Sequence, residues 1–391
     1  MAVTLTNADK ALKSFYLDVC KEQLDQNVNP FLAEIKKTTE DVWGKEVRKL
    51  AIYGVNGGIG AGTETGDLPE SAGNNYENFV LTLKNLYGTI EISDKAVRAS
   101  ENNSGAFVNL LNAEMEGLIK SSSFNFGRML FGDGTGIIGE VKAITSGVIT
   151  LDSVKNIAEG MIVDFRSSLG ATISTATGRK ILTVDRLNKK ITVSGSTLTT
   201  SEVPVGSTIS IQGSFENELT GLKAIFKKTG ELYGLDKEKN KWLLPYIKEG
   251  QGEITEKAIQ TAIDTIEENS GSQINFIICS LGVRRALQEL FSKSNSRTDT
   301  VNLAGGYKAI SYNGIPIIAD RFCPDGTMYL LNTNDFALHQ LCDWQWLEGE
   351  DGKVLSQIPG KPVYTATLVK YADLLCSRPC GQGVIEGITE G

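Results

Sequence analysis

Apolar positions along the chain change period several times, and each change marks an element. From residue 6 to 26 they recur at helical spacing, with Ala8, Leu12, Phe15, Tyr16 and Val19 on one face and Thr6 with Asp9 as a capping box. Asn29-Pro30 reads as the stop of that helix. Two extended runs follow, Val47 to Val55 and Phe79 to Ile92. In the second, Phe79, Leu81 and Leu83 alternate, and then the phase slips to Leu86, Ile90 and Ile92, as a bulge or strong twist requires. Between the runs lies the turn-rich stretch Gly57 to Asn75. A two-stranded hairpin this long cannot bury its own apolar faces, so it must lie on something, and a neighbouring subunit is the natural candidate.

Helical spacing returns from about 105 to 131, with Phe107, Leu111, Met115, Leu118, Ser122, Phe126 and Met129 on one face, and Gly132-Asp133-Gly134 ends it. Residues 137 to 213 are short β-prone runs between Gly, Asn and Ser: 148–151, 161–165, 181–184, 191–193 and 207–211. That spacing predicts a compact antiparallel barrel inserted between helical parts. Beyond 214 the pattern is mixed. A helix is expected over 255–269, a strand over 274–279 and a further helix capped by Ser280. Asn313-Gly314 predicts a hairpin, Asp325-Gly326 a turn into 327–331, and the last extended run is Val363 to Leu375.

Composition narrows the function more than the fold. The 391 residues are 41% hydrophobic and 22% charged, which is ordinary globular usage and allows two or three domains. With 39 basic against 47 acidic residues the net charge is -8, and no Lys/Arg-rich block exists, which disfavours tight nucleic-acid binding. A mildly acidic wall instead lets packed DNA slide past. No run of eighteen apolar residues is present, so no membrane-spanning helix is expected. Six cysteines are scattered without a CxxC pair or zinc spacing, and the N-terminus has no signal-peptide core. They read as free thiols in a reducing compartment, with Cys376 and Cys380 the one pair at CxxxC spacing.

The sequence offers no catalytic, cofactor-binding or metal-ligating residue to nominate. His339 is the single histidine and sits in the apolar stretch Phe336 to Leu341, which fits a satisfied strand residue better than a triad or dyad member. Gly57 to Gly62 follows a β-like run, as a dinucleotide loop does, but Gly66-Asp67-Leu68-Pro69 follows where a helix must start, and Gly-Lys-Ser/Thr is missing. Gly132 to Gly136 offers an Asp and carbonyls to a cation but lacks spaced carboxylates, so a linker is the plainer reading. Glu64, Asp67 and Glu70 on an exposed loop keep ordinary acidity. Intersubunit ion pairing and a plain solvated tip both stay open for them.

The order of these elements resembles the major capsid proteins of tailed phages (Caudoviricetes), the Hong Kong 97-type fold, over nearly the whole chain. The stretch Thr63 to Glu70 is similar to the family's loop tip and the helix from 105 to 131 to its spine helix. Gly305-Gly306-Tyr307-Lys308 with Tyr312-Asn313-Gly314-Ile315-Pro316-Ile317 resembles the axial domain, and Tyr364 to Gly383 the strand returning to the peripheral domain. The resemblance implies an α+β fold of arm, extended β-hairpin loop, peripheral domain with a long spine helix, and axial domain, plus an inserted antiparallel β-barrel. The corresponding boundaries are 1–45 for the arm, 46–92 for the extended loop, 93–136 for the peripheral domain, 137–213 for the barrel, 214–250 for the peripheral return, 251–345 for the axial domain and 346–391 for the C-terminal peripheral strands.

The same resemblance implies a non-enzymatic, homo-oligomeric shell protein of the virion. Its hexamers and pentamers form an icosahedral head around double-stranded DNA, which is held without specific binding, and assembly takes place in the host bacterial cytoplasm. Intersubunit contacts are expected at Glu64, Asp67, Leu68, Pro69 and Glu70 on the loop and at Leu12, Phe15 and Tyr16 on the arm. No acidic helical pro-region precedes the arm, so a separate scaffolding protein is expected, along with a portal protein at one vertex and room for decoration proteins outside. No cofactor and no membrane partner is expected. Some relatives weld their shells through Lys–Asn bonds. Lys45, Lys49 and Lys84 lie in or near the loop here without matching partners, so no crosslink is expected. Two rival classes are an encapsulin-type nanocompartment, which shares the fold, and an enzyme or carbohydrate-binding module on the barrel.

Overall fold

The computed structural model describes residues 29–95, 104–293, 300–302, 308–349 and 352–391. The helix expected at 6–26, with Leu12, Phe15 and Tyr16, lies outside these residues, as do Cys20 and Gly305 to Tyr307. The chain divides into two compact units, residues 1–123 with 225–391, and residues 124–224.

Asn29-Pro30, read from the sequence as a stop, begins an element. The Asn29 side chain accepts from Phe31 N at 2.7 Å and Leu32 N at 3.3 Å, and Pro30 takes the first helical position, so the pair opens helix α1, Pro30–Glu34. Phe31 of α1 packs edge-on against Phe336 at 5.2 Å. Strands β1 (Lys36–Thr38), β2 (Val42–Trp43), β3 (Glu46–Tyr53), β4 (Asn75–Thr82) and β5 (Lys84–Ser93) follow. β3 and β4 form the hairpin, in register from Glu46↔Thr82 to Tyr53↔Asn75, with β2 added at its edge. The run read as one strand from Phe79 to Ile92 is two. Leu83, whose N–H donates to the Lys45 carbonyl at 3.0 Å, ends the hairpin. β5 then enters another sheet and pairs with the late strand Val363–Cys376 from Ser93↔Val363 to Lys84↔Ala372. The phase slip is the chain changing sheets, not a bulge within one.

Helix α2, Ser104–Leu130, spans 27 residues, roughly 40 Å. Met115, Ile119 and Phe126 are buried along one side. Gly88 of β5 lets the helix approach: a Cβ there would sit 2.8 Å from Leu118 Cδ1 and 3.1 Å from Ser122 Oγ.

In the second unit, β6 (Ile137–Thr145), β7 (Val148–Leu151), β8 (Ile162–Arg166), β9 (Arg179–Asp185), β10 (Lys190–Val193) and β11 (Thr208–Ile211) close into a barrel in the order β10-β7-β6-β11-β8-β9. Val141, Ile149, Phe165, Ile181, Ile191 and Ile209 fill its interior, so it is a packed core and not a vessel. The barrel's two ends meet at a neck. Arg128 of α2 and Glu218 beyond β11, both almost wholly buried, share two hydrogen bonds of 2.8 and 2.5 Å. Asn125 accepts from the same guanidinium at 2.6 Å. Gly221 lies so close to the end of α2 that a Cβ would come within 2.4–2.7 Å of the Met129, Gly132 and Leu130 carbonyls.

The remaining elements are α3 (Leu222–Ile225), β12 (Glu231–Leu232), β13 (Leu235–Asp236), β14 (Tyr246–Lys248), α4 (Glu256–Ser270), β15 (Phe276–Cys279), α5 (Leu281–Lys293), β16 (Thr300–Asn302), β17 (Lys308–Tyr312), β18 (Ile315–Ala319), β19 (Met328–Leu331), β20 (Phe336–Trp346), β21 (Ser356–Gln357), β22 (Val363–Cys376) and β23 (Gly383–Ile385). Thr255 Oγ1 caps α4 and Gly271, at φ +64°, ends it. Ser280 Oγ accepts from Val283 N at 3.2 Å to open α5. Asn313 and Gly314, at φ +49° and +82°, make the two-residue turn between β17 and β18. A seven-stranded sheet runs β14-β23-β19-β15-β18-β17-β16. Ile259, Ala262 and Ile266 of α4 and Val283 and Leu287 of α5 pack with it. A five-stranded sheet runs β1-β20-β22-β21, with β5 also on β22.

Candidate assembly surface

The hairpin β3–β4 has two apolar faces, and among the described residues only one is covered. On the inner face Val47, Ala51, Phe79 and Leu81 are buried. Tyr53 stacks on Trp242 at 4.7 Å, Phe79 lies 5.4 Å from the Tyr233 ring, and Val80 N donates to the Tyr233 carbonyl at 3.0 Å. Tyr233 turns the chain from β12 to β13 at φ +53°, and its hydroxyl accepts from Cys376 N at 2.9 Å and reaches the Leu374 carbonyl. The inner face is thus anchored to β22 through one tyrosine.

The outer face carries Leu50, Ile52 and Tyr76, which are 55%, 65% and 52% exposed, with Val80 beside them and Trp43 at 72% on β2. Ile52 and Tyr76 stand directly opposite in the register. Single exposed apolar residues are unremarkable, whereas a contiguous row on one sheet face marks an interaction surface. The sequence reading required that the hairpin lie on something but did not name these residues. Their signal was present: in Leu50-Ala51-Ile52 neither face is polar.

Beyond the strands, residues 54–74 project as an extension whose two arms are tied by Asn56 Nδ2 to Asn74 Oδ1 at 3.2 Å. Glu64, Asp67, Leu68, Pro69 and Glu70 are all exposed, and Leu68 is 89% so. The three carboxylates form no ion pair with the described residues of the chain. No helix follows Gly57 to Gly62, so the phosphate-loop geometry is not built.

Residues 187–351 match a family model described as the SU10 major capsid protein. The chain superposes on the cyanophage A-1(L) capsid asymmetric unit with a TM-score of 0.57 at 14% identity, covering 93% of this chain and 94% of that one. The fold is that of a phage major capsid protein. Two weaker likenesses support nothing further: the capsid of a native GTA particle (TM-score 0.47, 10% identity, 92% and 90% covered) and the SrpI encapsulin of Synechococcus elongatus PCC 7942 (0.46, 10%, 90% and 85%). No curated protein sequence matches. The family match begins at the β9–β10 turn and takes in six strands of the seven-stranded sheet, all but β23, so the hairpin and α2 enter the capsid fold through the superposition alone.

Other groups weighed from sequence fall into place around this capsid-type fold. His339 is buried on β20 with Nδ1 3.0 Å from the Glu40 carbonyl, and burial holds its imidazole below the ordinary range. Cys376 and Cys380 are free thiols, both pushed up by burial, and burial takes Cys279 up to about 12. Asp133 caps the linker into the barrel by accepting from Thr135 N at 3.1 Å. Among the described residues no group of three His, Cys, Asp or Glu could hold a metal, and no helix is long and apolar enough to cross a membrane.

Sequence reasoning missed the buried charges. Besides Arg128 and Glu218, Lys370 of β22 is fully buried, 2.6 Å from Asp343 and 5.6 Å from the Trp344 ring centre. Lys237 is wholly buried with Nζ donating to the Ile225 and Lys227 carbonyls, both at 2.7 Å. A lone Lys or Arg in a sequence carries no mark of burial.

Proposed function

We propose that copies of this chain assemble into the hexamers and pentamers of an icosahedral phage head around double-stranded DNA. The observation that carries the reading is the outer face of the hairpin, an apolar row which one subunit leaves open and which a second copy of the same chain would cover. In a closed shell each subunit both gives and receives that contact, so one surface serves every position. In this reading the hairpin and residues 54–74 form the extended loop, α2 the spine helix, the five-stranded sheet the peripheral domain, the seven-stranded sheet the axial domain, and 1–45 the arm, with Leu12, Phe15 and Tyr16 contacting a neighbour. Glu64, Asp67, Leu68, Pro69 and Glu70 meet an adjacent subunit at the loop tip. A scaffolding protein guides assembly in the host bacterial cytoplasm, a portal occupies one vertex, and the net charge of -8 lets DNA pack without specific binding.

Deleting residues 57–74 tests the reading. The variant should remain a folded, soluble subunit that closes no shell when expressed with its scaffolding protein, whereas normal particles in electron micrographs would remove the loop from assembly. Replacing Glu64, Asp67 and Glu70 together by Gln and Asn separates ion pairing from a solvated tip. Ion pairing predicts weaker assembly with a flatter salt dependence, and a solvated tip predicts no change.

A further inference from the structure

The segment that leads into the hairpin is short and lies at a sheet edge. β1 is a three-residue strand at the edge of the five-stranded sheet, parallel to β20, with Lys36↔Ala337, Lys37↔Leu338 and Thr38↔His339. The chain then turns through Glu40 and Asp41, the latter at φ +62°, and Arg48 N donates to the Asp41 carbonyl at 3.1 Å. Beneath this turn lies His339, 1% exposed, with Nδ1 3.0 Å from the Glu40 carbonyl. A carbonyl only accepts, so Nδ1 must carry the proton and Nε2 the lone pair. Nε2 is buried and has no hydrogen-bond partner.

That arrangement is tolerable only for the neutral ring. A second proton would place an N–H and a full charge at Nε2, where nothing accepts it. A buried donor left unmade is costly, and a buried charge more so. The turn at Glu40, in the short segment 36–41, is bonded to the ring, so opening that segment would hydrate the imidazolium.

We propose that His339 is a proton-operated latch, which holds residues 36–41 on the five-stranded sheet while neutral and releases them when protonated. The charged groups around it are Glu40 and Asp41 on the covering turn, Lys36 and Lys37 on β1, Lys49 on β3, and Asp373 opposite His339 on β22. Glu40 is paired with Lys36 at 3.3 Å. Burial is the largest influence and disfavours the charged ring, as does Lys49, while the Glu40 carbonyl and the Asp41 and Glu40 carboxylates favour it. The balance leaves the imidazole of the latched state harder to protonate than a free one. The latched state is therefore favoured above the ordinary imidazole range and loses ground as pH falls through it.

The test is hydrogen exchange of the full chain from about pH 8 to about pH 5, corrected for intrinsic exchange, in the wild type and in His339→Gln. Glutamine can still donate to the Glu40 carbonyl but does not titrate. The wild type should lose at least about tenfold protection over residues 36–41, with β22 unchanged, and His339→Gln should stay level across the range. A level wild type, or the same loss in both proteins, would overturn the latch. The chain has one histidine, so its single imidazole NMR signal gives a check that needs no variant. Its titration midpoint should coincide with the loss of protection, and a midpoint displaced from that loss refutes the proposal.

Discussion

The outer face of the hairpin offers a prediction whose size can be worked out. Replacing Leu50, Ile52 and Tyr76 together by Ser removes the apolar row and leaves the inner face, with Phe79 and Tyr53 on Tyr233 and Trp242, intact. Full burial of such a side chain contributes about 1.5–3 kcal/mol. Each of the three is just over half exposed, so docking has about 1 kcal/mol left to gain at each, or about 3 kcal/mol per hairpin. Every hairpin-mediated contact should then weaken by about two orders of magnitude. The subunit itself should change little, because substitutions at exposed positions typically cost about 0.5 kcal/mol or less each. Sedimentation velocity over a concentration series, with electron microscopy of the same samples, reads both quantities. The triple variant should stay a folded monomer at concentrations where the wild type forms shells. Assembly at the wild-type threshold, into particles of wild-type appearance, would refute the reasoning.

Glu218→Ala strands the buried Arg128 guanidinium and should cost about 3–5 kcal/mol of stability, whereas Arg128→Met combined with Glu218→Leu should cost far less; thermal unfolding of the two proteins decides. Burial lowers the Lys237 ammonium to about 8, so between there and its ordinary range the unfolded chain binds the extra proton and stability rises with pH. Lys237→Met should flatten that slope in denaturant titrations across the window. Gly88→Val puts side-chain carbon where Leu118 and Ser122 already sit and should destabilise by about 1–3 kcal/mol in the same assay. A boiled denaturing gel of purified particles should show single subunits; ladders would mean a covalent weld.

Much of the architecture could be read from period and punctuation. The barrel was legible because its short runs and turn residues recur at close intervals, and the closed six-stranded ring covers 137–211. α4, α5 and the β17–β18 turn were legible because Thr255, Ser280 and Asn313-Gly314 are local signals with a local mechanism. The slip between Leu83 and Leu86 was visible too, but alternation records only which residues are buried, not against what. A bulge in one sheet and a passage between two leave the same trace, and only the partner strand β22, more than 270 residues away, separates them. Asn29-Pro30 shows the same ambiguity at short range, since proline ends one helix as readily as it begins the next. The exposure of the loop tip, Glu64 to Glu70, could be read in advance. The outer row on β3 and β4 needed the register that sets Ile52 beside Tyr76, and the neck needed Arg128 and Glu218 brought together across 90 residues.

The central claim is that the hairpin's open face is covered by another copy of this chain. A cryo-electron microscopy map of particles made from the expressed protein and its scaffolding protein tests it most directly. The account predicts closed shells of hexamers and pentamers in which Leu50, Ile52 and Tyr76 are buried against a neighbouring subunit. Shells in which those three side chains still face solvent would contradict it.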